Sequence, residues 1–145
     1  MVQENKNLTG ESKEQTVEQL AEINFKRFND ALASNNPENV AQLFTDDAAF
    51  HPTMSGDFKI GKAGALEYFI GFIKKHPVGM IDQENQRIKS YSPNAYTHSG
   101  KYKFEIDDGN GGRMLVDARF SYNWLRSKEG VWEIDTFHSS LEPNK

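Results

Sequence analysis

The stretch Val131-Trp-Glu-Ile-Asp-Thr-Phe-His-Ser-Ser-Leu-Glu-Pro143 decides how this chain is read. Trp132, Ile134, Thr136, His138 and Ser140 alternate with Glu133, Asp135, Phe137 and Ser139, the two-residue period of a half-buried strand. One face opens on an indole and ends in an imidazole and a hydroxyl. A strand that is apolar at its start and polar at its end suits the floor and mouth of a concave pocket.

Three further extended stretches lead up to it, over 80–91, 94–106 and 113–126. The segments between them, Ser92-Pro93, Asp107-Asp-Gly-Asn-Gly-Gly112 and Ser127-Lys-Glu-Gly130, are chain-reversal sequences, so the four strands read as an antiparallel meander. The first half of the chain is helical in pattern. Ser12-Lys-Glu-Gln15 is a capping-box sequence, and Val17, Leu20, Ala21, Phe28, Ala31 and Leu32 recur at helical spacing, with Ile23 and Phe25 widening the stripe. Asn36-Pro37 restarts a helix as N-cap and first helical residue. Residues 48–51 are extended and stopped by Pro52. A helix over 62–75 follows, with Leu66, Phe69, Ile70 and Ile73 on one stripe, and Lys74, Lys75, His76 and Pro77 end it. Helices followed by a meander predict an α+β fold in which the helices cover one face of the sheet.

With 145 residues the chain divides into an N-terminal tail over 1–11 and one domain over 12–145. Ten Phe, five Tyr and two Trp must line or fill its interior. The net charge of −4, with Lys and Arg dispersed, leaves no basic stripe for a nucleic-acid backbone. The lack of cysteine excludes disulfides, thiolate catalysis and sulfur-ligated metals. No apolar run has the length of a membrane span, and the N-terminus lacks the apolar core of a signal peptide, so the expectation is a soluble, cytoplasmic protein.

Several motifs, in this order and spacing, resemble one known family. Phe50-His-Pro-Thr-Met-Ser-Gly56, then Gly61 and Tyr68-Phe69, is similar to the loop-to-helix segment of the calcium/calmodulin-dependent protein kinase type II association domain. Trp132-x-Ile134, Phe137-His138-x-Ser140 and Pro143 resemble that family's last strand. The resemblance runs from about Val17 to Pro143 and lies closest to stand-alone bacterial members, without a kinase domain or calmodulin-binding segment. It implies membership of the nuclear transport factor 2-like (SnoaL-like, cystatin-like) superfamily: a curved antiparallel sheet wrapped around N-terminal helices, leaving a cone-shaped cavity. It also implies a cavity that attracts carboxylates through a histidine and three arginines. Those positions fall here on Ala65, Lys101, Tyr122 and Ser139, so only Lys101 keeps the charge.

The candidate cavity residues are Lys101, Tyr122, His138, Ser139, Tyr102, His98 and Arg119. An imidazole at His138 can bind or relay a proton near neutral pH, or be a buried histidine bonded to a neighbour. His138 and Asp135 stand an odd number of residues apart, so their side chains face opposite ways unless the strand is bulged. Arg119, between Asp117 and Ser121 at strand spacing, is either a cavity cation or half of an ordinary ion pair. It is also opposite in parity to Tyr122. His98 and Tyr102 share one face of their strand, while Ser99, Lys101 and Lys103 share the other; one of the two faces should line the cavity. His51, His98 and His138 lack ligand-like spacing, so neither a metal nor another cofactor is expected.

These readings predict a small oligomerising, ligand-binding module with a polar-mouthed cavity and no demonstrable catalysis. The alternative is a SnoaL-like isomerase, cyclase or dehydratase using His138 or Tyr102. The expected partners are a second copy of the chain, in a dimer, and a small carboxylate or other small polar ligand. Phe120 and Phe137 are read as an aromatic sheet face available for that dimer. Lys101 and His138 would make carboxylate affinity rise as the pH falls from about 8 to about 6. Trp132 is expected to anchor its strand beneath the first helix.

Overall fold

The computed structural model describes residues 15–143. The tail read over 1–11 and the Ser12 hydroxyl of the first capping box lie outside them. Helices α1 (Val17–Ala33) and α2 (Pro37–Ala41) lead into strands β1 (Phe44–His51) and β2 (Lys59–Ile60). Helix α3 (Gly61–Phe72) ends in a 3-10 turn, Ile73–Lys75. Four strands complete the chain: β3 (Val78–Ser92), β4 (Ala95–Asp107), β5 (Arg113–Arg126) and β6 (Trp132–Leu141). All six strands form one sheet in the order β2-β1-β6-β5-β4-β3. It is antiparallel throughout except at its middle, where β1 lies parallel to β6, with Phe50 beside Phe137 and His51 beside His138.

Local chemistry sets the element ends. The box that caps α1 is Thr16 with Gln19: the Thr16 hydroxyl accepts from the Gln19 amide, and the Gln19 side chain accepts from the Thr16 amide. Asn36 caps α2 in the same way through the Glu38 amide, with Pro37 at the first helical position. Helix α3 has no side-chain cap. Gly61 opens it at φ +70°, and a Cβ there would overlap the Asp46 carbonyl oxygen, so only glycine can make this corner.

Two irregularities aim the side chains. Between β3 and β4 the register passes from Ile81–Tyr102 to Gln86–Gly100, so Asp82 to Asn85 bulge outward from one residue of β4. Gly100 faces that bulge, where a Cβ would overlap the Asn85 carbonyl oxygen. Between β5 and β6 the register passes from Trp124–Ile134 to Asn123–Thr136, leaving Asp135 unmatched. Its carboxylate accepts from the Thr45 hydroxyl at 3.0 Å on β1. One extra residue inverts the facing of everything beyond it. Ile134 points into the core before the bulge; Phe137 and Ser139 do so after it, and His138 is exposed. The unbroken alternation expected from Trp132 through Ser140 is therefore replaced by two half-strands of opposite parity.

The core is aromatic. Trp124, Tyr96, Tyr122, Phe44, Phe50 and Phe69 are among the largest fully buried side chains. Phe50 stacks on Phe137 with centroids 5.5 Å apart, and Phe137 stacks on Tyr122 at 4.3 Å. Each such side chain stabilises the fold by about 1.5–3 kcal/mol of transfer free energy. Phe120 and Phe137, expected to leave an aromatic face exposed, are both 3% exposed and pack towards the helices. The outer face of the sheet carries Arg119, Ser121, Asn123 and His138 instead, with Leu115 and Leu125 exposed among the polar side chains. Trp132 is only half-buried, and the indole at the centre of the core is Trp124. No helix is long and apolar enough to cross a membrane.

Candidate functional site

A narrow cavity lies between the sheet, α1 and α3. Its free volume is about 30 Å³, space for about two water molecules. Phe25 and Phe28 from α1, Phe69 and Phe72 from α3, and Phe50, Phe104 and Phe137 from the sheet make most of the wall. The polar side chains in it are Asn29, Thr53, Tyr68 and Tyr102. The Tyr102 hydroxyl shares a hydrogen bond of 2.6 Å with the Ser139 hydroxyl across β5, and the Thr53 hydroxyl donates to Ser139. Three hydroxyls from β4, β6 and the loop after β1 thus meet at one side of a mostly apolar space, with Ser139 behind the lining Tyr102 and Thr53. Asn29 is already used: its amide donates to the Gly79 carbonyl at 3.0 Å and accepts from the Gly79 amide at 3.0 Å.

Burial raises the phenol pKa of Tyr102 and Tyr68, because the phenolate would be stranded away from water. Hydrogen bonds oppose this, from Ser139 and Thr53 at Tyr102 and from the Met54 backbone at Tyr68. Both therefore stay neutral donors. Tyr122 is 1% exposed and raised for the same reason, with the neighbouring Tyr102 and Tyr96 adding to the effect. His98, also 1% exposed, joins the Gln86 side-chain oxygen at 2.8 Å through Nε2, while its Nδ1 is buried without a partner among the described residues. Desolvation lowers its pKa from 6.5 to about 4, so it is a neutral imidazole packed against Phe120 at 5.0 Å.

The remaining candidates stand on the opposite face of the sheet. Lys101 pairs with Glu142 at 3.2 Å. The Arg119 guanidinium donates to the Ser140 hydroxyl at 3.2 Å. The His138 ring lies 5.1 Å from that of His51, on the neighbouring strand. Parity explains all three. Lys101 alternates with the inward Tyr102 and Arg119 with the inward Phe120, while the Asp135 bulge turns His138 out and Ser139 in. A carboxylate subsite built from Lys101 and His138 is therefore not part of this cavity. Thr53 was missed as a partner of Tyr102 and Ser139. It lies in a loop, where no periodicity marks the direction of a side chain. Among the described residues no group of three or more His, Asp or Glu side chains is placed to hold a metal ion.

The curved sheet, the helices packed in its hollow and the cavity between them define an α+β protein of the nuclear transport factor 2-like, cystatin-like type. Solved structures of that fold superpose on it. A nuclear transport factor 2-like superfamily protein from Salmonella enterica serovar Typhimurium is 20% identical over 89% of this chain and 93% of that one, with a TM-score of 0.73. A ketosteroid isomerase-like protein from Erwinia carotovora atroseptica is 14% identical over 88% and 98%, with a TM-score of 0.69. Within the fold, the chain belongs to the calcium/calmodulin-dependent protein kinase II association domain family, whose model matches residues 15–143. An association domain of this kind from Xanthomonas campestris is 29% identical over 91% of both chains, with a TM-score of 0.84. Among curated proteins none matches the sequence.

Proposed function

We propose that the protein is a cytoplasmic association module that self-assembles, as a dimer at least, and whose cavity binds a small neutral molecule carrying a hydroxyl or carbonyl group. The observation that carries the binding half is the pair of hydroxyls of Tyr102 and Thr53, joined through Ser139 behind them, in a wall that is mostly aromatic. In such a low-dielectric space a phenol and an aliphatic hydroxyl donate to or accept from a neutral polar group at small desolvation cost, whereas a charged ligand would lose its hydration without a counter-ion. A ligand larger than two waters must displace a half-buried ring of the lining, such as Phe25, Tyr68 or Phe72. Proton abstraction of the isomerase type needs a carboxylate or imidazole facing the substrate. The polar side chains of the described lining are amide and hydroxyl groups, which supports binding over turnover.

The assembly half rests on the family and on exposed apolar side chains at one end of the sheet. Met114, Leu115 and Leu141 are 46%, 57% and 47% exposed and line one shallow depression. Apolar groups left together at a surface gain free energy when a second copy covers them. Sedimentation equilibrium should show a dimer or larger species, and calorimetry with phenol should show saturable binding that Tyr102→Phe weakens. A monomer at micromolar concentration removes the first half, and lack of phenol binding removes the second.

A further inference from the structure

A second concavity lies at the other end of α1, between its first turns and the tips of the β3–β4 and β5–β6 hairpins. It is a groove open to solvent, of about 1040 Å³, at the upper end of the range for small-molecule sites. Arg27 and Arg126 both line it, and none of its described lining residues is Asp or Glu. In a chain with 21 acidic and 17 basic residues this is a local inversion of charge. Neither arginine is ion-paired among the described residues. Each is instead held by neutral groups over an aromatic ring.

Arg27 sits 5.9 Å from the ring of the buried Trp124 and donates through one nitrogen to the Asn24 side-chain oxygen at 2.8 Å and the Trp132 carbonyl at 3.0 Å. The Asn24 amide donates in turn to the Tyr96 hydroxyl at 2.8 Å. Arg126 lies 5.7 Å over the Trp132 ring, with its Nε donating to Asn94 at 2.9 Å. Tyr96 bridges the two indoles, 6.4 Å from Trp124 and 5.2 Å from Trp132. Two guanidiniums therefore stand at the ends of a continuous aromatic row. Stacking keeps each in place while leaving its remaining donors for an anion.

We propose that this groove is a binding site for a small carboxylate borne on an aromatic body, distinct from the hydroxyl-lined cavity. The carboxylate accepts from an arginine fork, and the aromatic body lies along the half-buried Trp132. A fork and a carboxylate match in shape as well as charge, which is why arginine suits this role better than lysine.

Calorimetry on the full chain with 2-naphthoate and its neutral analogue 2-naphthamide tests this directly. Naphthoate should bind, and naphthamide should bind at least about ten-fold more weakly, because it gives up a charge-assisted hydrogen bond. Arg126→Ala, whose thermal transition reports whether it still folds, should weaken naphthoate about ten-fold or more, and Arg126→Lys by an intermediate factor. Lys103→Ala, which removes a cation paired with Asp117 on the outer face, should leave binding unchanged. Added salt should weaken binding by the wild type, and saturating phenol should not displace naphthoate. The proposal is overturned if naphthoate does not bind, if the amide binds equally well, or if Arg126→Ala or salt has no effect. Displacement by phenol would place the ligand in the cavity and overturn it equally.

Discussion

The buried His98 makes stability depend on pH in a calculable way. Its folded pKa is about 4 because the ring is 1% exposed among Phe25, Phe120 and Tyr122, against about 6.5 in the unfolded chain. A histidine held neutral by burial contributes its full stabilisation above the unfolded pKa. It loses that contribution as the pH falls towards the folded value, since only the unfolded state takes up the proton. A gap of about 2.5 pKa units corresponds to about 3 kcal/mol in total, of which about 2 kcal/mol is lost between pH 8 and pH 5. For a domain of this size that lowers the melting temperature by about 5 °C. His98→Gln has no titrating ring, so its melting temperature should fall less over the same interval. Subtracting the two pH profiles cancels every titrating group common to the two proteins. Parallel profiles for wild type and His98→Gln between pH 8 and pH 5 would refute the reasoning.

Other substitutions probe the packing and the assembly. Trp124→Ala should cost about 3–5 kcal/mol in urea denaturation, as expected for deleting a fully buried indole, and Trp132→Ala, half-buried, clearly less; equal costs would contradict the placement of the two rings. Gly61→Ala should cost more than about 2 kcal/mol, since it strains a positive φ and drives Cβ into the Asp46 carbonyl; an unchanged denaturation midpoint would mean the corner is built differently. Leu115→Glu should shift sedimentation towards smaller species with little change in the thermal stability of the subunit; an unaltered sedimentation profile would move the interface elsewhere.

The elements were readable because their hydrophobic periods are strong. The α1 stripe, the reversal at Asp107–Gly112 and the four strands of the meander stand in the structure near their expected positions. Ser12-Lys-Glu-Gln15 and Thr16-Val-Glu-Gln19 carry the same signature, and among the described residues the second caps α1. Strand β1 begins at Phe44 rather than at residue 48, because a strand's extent is set by the partner it pairs with. The parallel pairing of β1 with β6 joins residues far apart in sequence and leaves no local trace. The facing of the candidate site residues depended on one feature, the unmatched Asp135. Alternation on paper puts His138 with Trp132 and Ile134, whereas the bulge gives that place to Phe137 and Ser139. For Lys101 against Tyr102, and Arg119 against Phe120, the parity could be stated but not its sign. The sign comes from which face the helices cover.

The parallel contact between β1 and β6 also fixes an order of events in folding. Phe44 is matched to Ile134, so the middle of the sheet closes by a contact spanning most of the described chain. Contacts of such high order form late, after the loop-closure entropy has been met. During synthesis β1 precedes β6 by all of α3 and the meander. Over that interval it has only the two-residue β2 as a sheet partner, while Phe44 and Phe50 lack Phe137 to cover them. Strands β1, β2 and β6 therefore form a single cooperative unit drawn from both halves of the described chain. A nascent chain lacking β6 exposes two open strand edges and the aromatic residues beside them, the combination most prone to pairing with another copy.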